Sequence, residues 1–243
     1  MLSDETLSTQ VIGWLPSWGP DVIGDLTATL TGREDPFPCT FAVSAVRKSS
    51  LRFGFVGDVD DARTWSALPG ILTEYLRGYR RIDRETSLVV FFGPQRPVAD
   101  LGAYRRRFWD VLRFLHDRDT APWPGEIPRD TENPAWEFSF GGTPLFVVCN
   151  TPAHLARRSR YSPVFMISFQ PRWVFEEIGA DTPRGATARR VIRQRLRAFD
   201  NLEPASALGG YGDPGNREWR QYFLSDAVDD AEPVCPFRHR DSR

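Results

Sequence analysis

Residues 136–150 read WEFSFGGTPLFVVCN: two runs rich in aromatic and β-branched residues, Trp136 to Phe140 and Leu145 to Cys149, separated by the turn-forming GGTP. Such side chains suit a pleated surface, and a short glycine turn between two of these runs predicts a β-hairpin. Further apolar runs predict strands over Leu51 to Val56, Leu88 to Phe92 and Val164 to Phe169. Helical patterns occupy Thr40 to Lys48, Ala67 to Arg80, Tyr104 to His116, Arg172 to Ile178 and Thr187 to Phe199. In the third of these, Phe108, Val111, Leu112 and Leu115 recur at helical spacing and form one buried stripe. The last buries Val191 and Leu196 and carries Arg189, Arg193 and Arg197 on another side. This order of elements predicts an α+β fold with a central mixed, largely antiparallel sheet flanked by helices. The proline-rich stretch APWPGEIPRDTENP, residues 121–134, is read as a surface crossing within one domain that spans 1–243. The segment 208–243 is rich in turn residues yet keeps Trp219, Tyr222, Phe223 and Phe237, so it is expected to pack over the body.

With 41% hydrophobic and 13% aromatic residues, the 243-residue chain has a globular composition and length enough for a sizeable core. A formal charge of −1 gives no electrostatic pull toward nucleic acid or an acidic membrane surface, so neither is expected as a partner. Lys48 is the single lysine; all other basic residues are arginines. The three cysteines, Cys39, Cys149 and Cys235, match no zinc spacing and are read as reduced thiols of a cytoplasmic protein. The N-terminal residues lack a basic region followed by an apolar run, and no stretch approaches the ~20 apolar residues of a membrane span.

Common catalytic motifs are missing. There is no GxGxxG, no GxxxxGK[ST], no GxSxG, no HExxH and no CxxCH, and His116, His154 and His239 are far apart in the chain. His116 closes a helix beside Asp117 and reads as a surface or capping residue; His239, close to the terminus, reads as mobile. The residues alone give a soluble α+β protein with three free thiols and an arginine-rich face.

Five blocks in order, FPCTFAVSAVRK (37–48), WEFSFGGTPLFVVCNTPAHLARRSRY (136–161), FMISFQPRWVFEEI (165–178), IRQRLRAFD (192–200) and EWRQYFL…CPFRH (218–239), resemble the YqcI/YcgG family. The resemblance covers most of the chain, from about Pro36 to His239. It implies a haem-dependent monooxygenase of natural-product biosynthesis that hydroxylates a guanidino or amine nitrogen of a small amino-acid-like substrate. Haem b would be the cofactor, molecular oxygen a co-substrate and an external electron donor the source of reducing power, since no flavin or nicotinamide site is visible. Two other functions stand beside it: a haem-binding sensor that does not turn over, and a cofactor-free small-molecule binding module that shares only the fold.

Haem chemistry needs an axial ligand, and a thiolate is the most electron-rich side-chain donor. Cys39 precedes the helix that begins at Thr40, where unpaired N–H groups favour a thiolate, and the family resemblance places a cysteine at this FPC position. The other reading of Cys39 is a small buried hydrophobe. Cys235, in PVCPF, and His154, in NTPAHLARR, are the alternative ligands; Cys149, ending a strand, is read as core. Arg157, Arg158 and Arg160 are candidate clamps for haem propionates or for a substrate carboxylate, through paired hydrogen bonds, with a solvated basic loop as the alternative. Of Arg193 and Arg195, at most one can face a pocket. For a cationic substrate group, Glu137, alternating with Trp136 and Phe138 on a strand, is the candidate partner, with Trp136 beside it; Asp200 and Glu218 lie in the shared blocks. Trp136, Trp173 and Trp219 line a macrocycle or fill the core.

Overall fold

The computed structural model describes residues 9–178, 183–210, 213–227 and 234–239. Parts of the segment 208–243 therefore lie outside the described residues. Six strands form one mixed sheet in the order β1-β2-β3-β6-β5-β4, with helices on both sides, an α+β arrangement. The strands are β1 (Val11–Ile12), β2 (Leu51–Val56), β3 (Ser87–Phe92), β4 (Phe138–Phe140), β5 (Thr143–Asn150) and β6 (Met166–Pro171). The helices are α1 (Gly19–Thr31), α2 (Thr40–Arg47), α3 (Leu68–Gly78), α4 (Leu101–Arg118), α5 (Pro183–Asp200) and the single turn α6 (Trp219–Tyr222). Strands β1, β2 and β3 run parallel, joined by helical crossovers, whereas β3, β6, β5 and β4 pair antiparallel. No helix among the described residues is long and apolar enough to cross a membrane.

The 136–150 stretch forms the expected hairpin. Phe140 pairs with Thr143 across Gly141 (φ 59°) and Gly142 (φ 69°), a two-residue turn in which both residues hold the left-handed conformation that glycine alone adopts freely. β4 begins at Phe138 rather than Trp136, and Arg172–Ile178 is a 3₁₀ helix rather than an α-helix. The sequence reading has no counterpart for β1 and α1. The latter, GPDVIGDLTATLT, contains two glycines, a proline and three threonines, all weak helix formers, and is held by packing Val22, Ile23 and Leu30 on the sheet.

Side chains alternate across the sheet, so each strand serves two interiors. On the first side, Leu88, Val90, Ile167, Phe169, Val147 and Cys149 meet α3 and α4. Here the predicted stripe of Phe108, Val111, Leu112 and Leu115 is completely buried. Gly54 lets α3 approach β2 closely, because a Cβ there would stand 2.6 Å from Ile71 Cγ2. On the second side, α1 and α2 cover Leu51, Phe53, Phe55, Val89, Phe91 and Met166. β3 is buried at every residue, as its continuous apolar sequence requires.

The described C-terminal residues close the first side. Trp219, Tyr222, Phe223, Cys235 and Phe237 join that core. His116 and His239 are not the surface and mobile groups expected: their rings meet at 5.4 Å, and His239 packs on Trp123 at 4.6 Å and on Phe237 at 5.2 Å. The Tyr222 hydroxyl accepts from the Phe138 N–H (3.1 Å) and donates to the Leu145 carbonyl (3.2 Å), tying α6 to the open end of the hairpin. Tyr222→Phe is expected to cost about 1–3 kcal/mol by stranding buried backbone groups, lowering the melting temperature by several degrees. A calorimetric scan with an unchanged midpoint would show that the hydroxyl contributes nothing.

Candidate functional site

Past α1 and α2 the second side of the sheet is not filled. A cavity of about 910 Å³ opens there, with β3, β6 and β5 as its floor and α5 along its far wall. The floor explains the space. The row Val89–Ser168–Val148 crosses three strands, with Gln170 next to it, and these side chains are too small or too polar to close-pack with α5. The burial pattern along β5 records the same asymmetry: Leu145, Val147 and Cys149 are fully buried on the first side, whereas Phe146 and Val148 are half-buried because they face the cavity. α5 contributes Ile192 and Leu196, so Leu196 and Val191 are half-buried rather than core. Of the two α5 arginines considered, Arg193 lines the cavity and Arg195 does not.

Cys39 borders the cavity as the N-cap residue of α2. Its backbone is extended (φ −77°, ψ 100°), and its carbonyl accepts the first helical bond from the Val43 N–H at 3.2 Å. Burial pushes the thiol pKa up, while the nearby N–H groups of Ala42 and Phe41 and the charge of Arg160 pull it down without reversing the shift. The other two thiols lie elsewhere. Cys149 and Cys235 are completely buried on the first side, and burial pushes Cys235 up to about 12. His154 is also buried away from the cavity; its Nε2–H donates to the Leu224 carbonyl (2.8 Å) and its Nδ1 accepts from the Thr151 hydroxyl (2.9 Å). Both ring nitrogens are thus engaged, and burial lowers the imidazole pKa to about 4.

The three arginines of the 157–160 loop separate cleanly. Arg157 is buried and structural: Nε donates to the Ser225 carbonyl (2.8 Å) and Nη2 to the Ala227 carbonyl (3.1 Å). Arg158 points outward, paired with Asp35 at 2.7 Å and stacked 4.7 Å from the centre of the Phe199 ring. Arg160 lines the cavity. Its Nη2 donates to the Gln221 carbonyl (3.3 Å), but its buried Nη1 has no hydrogen-bond partner, and burial lowers its pKa to about 10. Asp200 fixes this loop by accepting from the Ser159 N–H (2.7 Å) and hydroxyl (2.8 Å), so it is a positioning residue for Arg160.

A second polar cluster borders the cavity at Arg172 and Glu218. Glu137 is completely buried behind it and ion-paired with Arg172. Trp136 faces the first-side core, packed on Phe237 and Tyr222, and does not reach the cavity; neither does Trp219. Glu218 is buried with its Oε2 accepting from Asn216 Nδ2 (3.2 Å). Arg172, Ser168 and Gln170 had no place in the sequence reading. The signal available was the polar alternation Ser168, Gln170, Arg172 at the end of an otherwise apolar run.

Cys39 is the only thiol among the described residues with accessible surface, so native alkylation should give a single adduct at Cys39. With its pKa raised above the ordinary thiol value, the rate should keep climbing with pH through the alkaline range rather than level near neutrality. Peptide mapping that finds Cys149 or Cys235 modified first, or a rate that saturates by about pH 8, would overturn this placement.

Residues 26–238 match the YqcI/YcgG family. Two proteins of Bacillus subtilis (strain 168) are similar along nearly the whole length: YcgG, 41% identical over 230 residues (93% of this chain, 90% of the relative), and YqcI, 39% identical over 226 residues (92% and 89%). A Streptomyces lavendulae protein named "Putative N(omega)-hydroxy-L-arginine synthase DcsA" is 36% identical over 243 residues (97% of this chain, 90% of the relative). No solved structure matches the chain. With the family match and all three relatives spanning most of its length, the chain belongs to the YqcI/YcgG family.

Proposed function

We propose that the cavity binds haem b together with a small guanidino- or amino-bearing substrate, and that the protein is a monooxygenase placing oxygen on the substrate nitrogen. The observation that carries this reading is the meeting, in one large cavity, of a thiol at a helix N-terminus and a buried arginine whose Nη1 lacks a partner. The name of the Streptomyces lavendulae relative supports hydroxylation at a guanidino nitrogen. A volume of about 910 Å³ stands near the upper end of the ~300–1,000 Å³ range of ligand sites, room for more than a small metabolite alone. Among the described residues no three His, Cys, Asp or Glu side chains converge as a metal-ion cage. A single thiol donor suits an iron whose other positions are supplied by a macrocycle.

When bound, haem would supply the activation of molecular oxygen, with electrons from an external donor. The chain's part is to hold and to exclude. Cys39 would ligate as the thiolate, its charge supported by the N-terminus of α2 and by Arg160, since a coordinated thiol gives up its proton despite a raised free pKa. Arg160 Nη1 would take a carboxylate, the group shared by haem propionates and by an amino-acid substrate. Phe146, Val148, Ile192 and Leu196 give the cavity apolar walls that keep water from the reacting centre.

The test is the absorption spectrum of protein purified from cells supplied with haem, before and after reduction under carbon monoxide. A strongly red-shifted Soret band that is lost in Cys39→Ser, with oxygen uptake dependent on L-arginine or a related guanidine, is expected. Removal of the Arg160 charge-assisted contact, as in Arg160→Met, should weaken retention of its carboxylate ligand by roughly 10- to 100-fold. Protein that takes up no haem sinks the proposal, and a Cys39→Ser spectrum unchanged from that of the wild type removes Cys39 as ligand.

A further inference from the structure

We infer that Glu218 is the seat for the cationic end of the substrate, and that binding there displaces a proton into solvent. This rests on the reading that the cavity takes a guanidino or amino substrate. Two buried carboxyls, Glu137 and Glu218, share the neighbourhood of one guanidinium, Arg172. Arg172 Nε donates to Glu137 Oε2 and its Nη2 is ion-paired with Glu137 Oε1, while Glu218 Oε1 stands 3.9 Å from Arg172 Nη2, beyond hydrogen-bond reach. Among the described residues Oε2 has its Asn216 donor and Oε1 has none. Glu218 is 6% exposed and lines the cavity, so its uncompensated oxygen belongs to a wall that a ligand would touch.

A buried carboxylate without a cation is costly, and two solutions exist: bind a proton or bind a cation. In the empty cavity the proton wins. Burial, and the nearby negative charges of Glu137 and Asp213, push Glu218 up to about 8 against the opposing pull of Arg172 and the Asn216 hydrogen bond. Arg193 and Arg189 line the cavity from α5, and the larger influences on Glu218 come from Glu137, Arg172, Asn216 and Asp213. Arg160 lies beyond Gln221, whose backbone carbonyl accepts from Arg160 and whose own N–H bonds the Glu218 carbonyl one helical turn back. The same short turn therefore carries a carboxyl for a cation and, through the Gln221 carbonyl, holds an arginine whose Nη1 lacks a partner and can take a carboxylate, the two ends of an arginine-like amino acid. A substrate guanidinium entering beside Oε1 would replace the proton, and the carboxylate would orient the guanidino group through paired hydrogen bonds.

Calorimetric titration of the full chain with L-arginine, in buffers of different ionisation enthalpy, measures the proton directly and needs no variant. At pH 7 close to one proton should be released per arginine bound, and the apparent affinity should rise about tenfold per pH unit up to about pH 8, then level. L-citrulline, which carries a neutral ureido group of the same shape, should bind at least about tenfold more weakly at high pH and release no proton. Glu218→Gln should bind arginine and citrulline alike, with a flat pH profile. Arginine bound without proton release, or a Glu218→Gln variant that keeps the arginine preference and the pH slope, overturns the assignment of Glu218 while leaving the cavity as the substrate site. Failure of the wild-type chain to bind any guanidino or amino compound overturns both together.

Discussion

The side chains that β3, β5 and β6 turn toward α5 set the character of this protein. Close packing requires complementary volume on both sides of a sheet, and the row Val89–Ser168–Val148, with Gln170 and Asn150 nearby, does not supply it. The opposite row on the same strands, Val90–Ile167–Cys149, packs without exposure against the first-side helices. One sheet thus carries a dense core on one side and, beyond α1 and α2, a cavity on the other. The dense side holds the strands in register while the open side carries the cavity.

Low polarity in the cavity makes each charge near it consequential. Arg160 is fixed by the Gln221 carbonyl and by a loop that Asp200 anchors, yet its Nη1 is left unpaired. Burial lowers its pKa, and the cation offsets part of the rise that burial imposes on the Cys39 and Cys149 thiols. Glu137 and Arg172 neutralise each other, and Glu218 is left to a proton. The cavity wall is therefore under-compensated in both signs at two separate places. Such a wall is unfavourable alone and favourable around a ligand with complementary charges, because the cost of desolvating the protein groups has already been met in folding.

How much of this could be read from the amino-acid order depends on whether the signal is local. The hairpin at Gly141–Gly142 and the stripe on α4 follow from periodicity and turn chemistry and are seen as expected. Cys39 beside a helix start was also legible, because the proline before it and the apolar run behind it are neighbours in sequence. α1 was not, since its residues are poor helix formers held by contacts with β2 and β3 far along the chain. Nor could the order of residues separate Arg157, Arg158 and Arg160. Their directions are set by partners at Ser225, Asp35 and Gln221, each tens of residues away. Glu137 and Trp136 alternate as a strand would, but they stand just before the edge strand β4, where Trp136 enters the first-side core and Glu137 pairs with Arg172.

The four-residue helix α6 shows how the two sides are joined. Residues three apart in a helical turn share a side, so Glu218 and Gln221 face the cavity while Trp219 and Tyr222 enter the first-side core. Tyr222 is bonded to the β4–β5 hairpin and Trp219 Nε1 donates to the Thr131 carbonyl at 3.1 Å, so the core side of the turn is pinned at two points. Those anchors fix the rotation of the turn, and the rotation fixes where the Glu218 carboxyl and the Gln221 carbonyl stand. A core substitution at Trp219 or Tyr222 would therefore act on the cavity without touching it, by turning α6 about its axis. The aromatic residues of the C-terminal segment are in this sense part of the site: they contribute no atom to the cavity wall, yet they set the angle at which its polar end is presented.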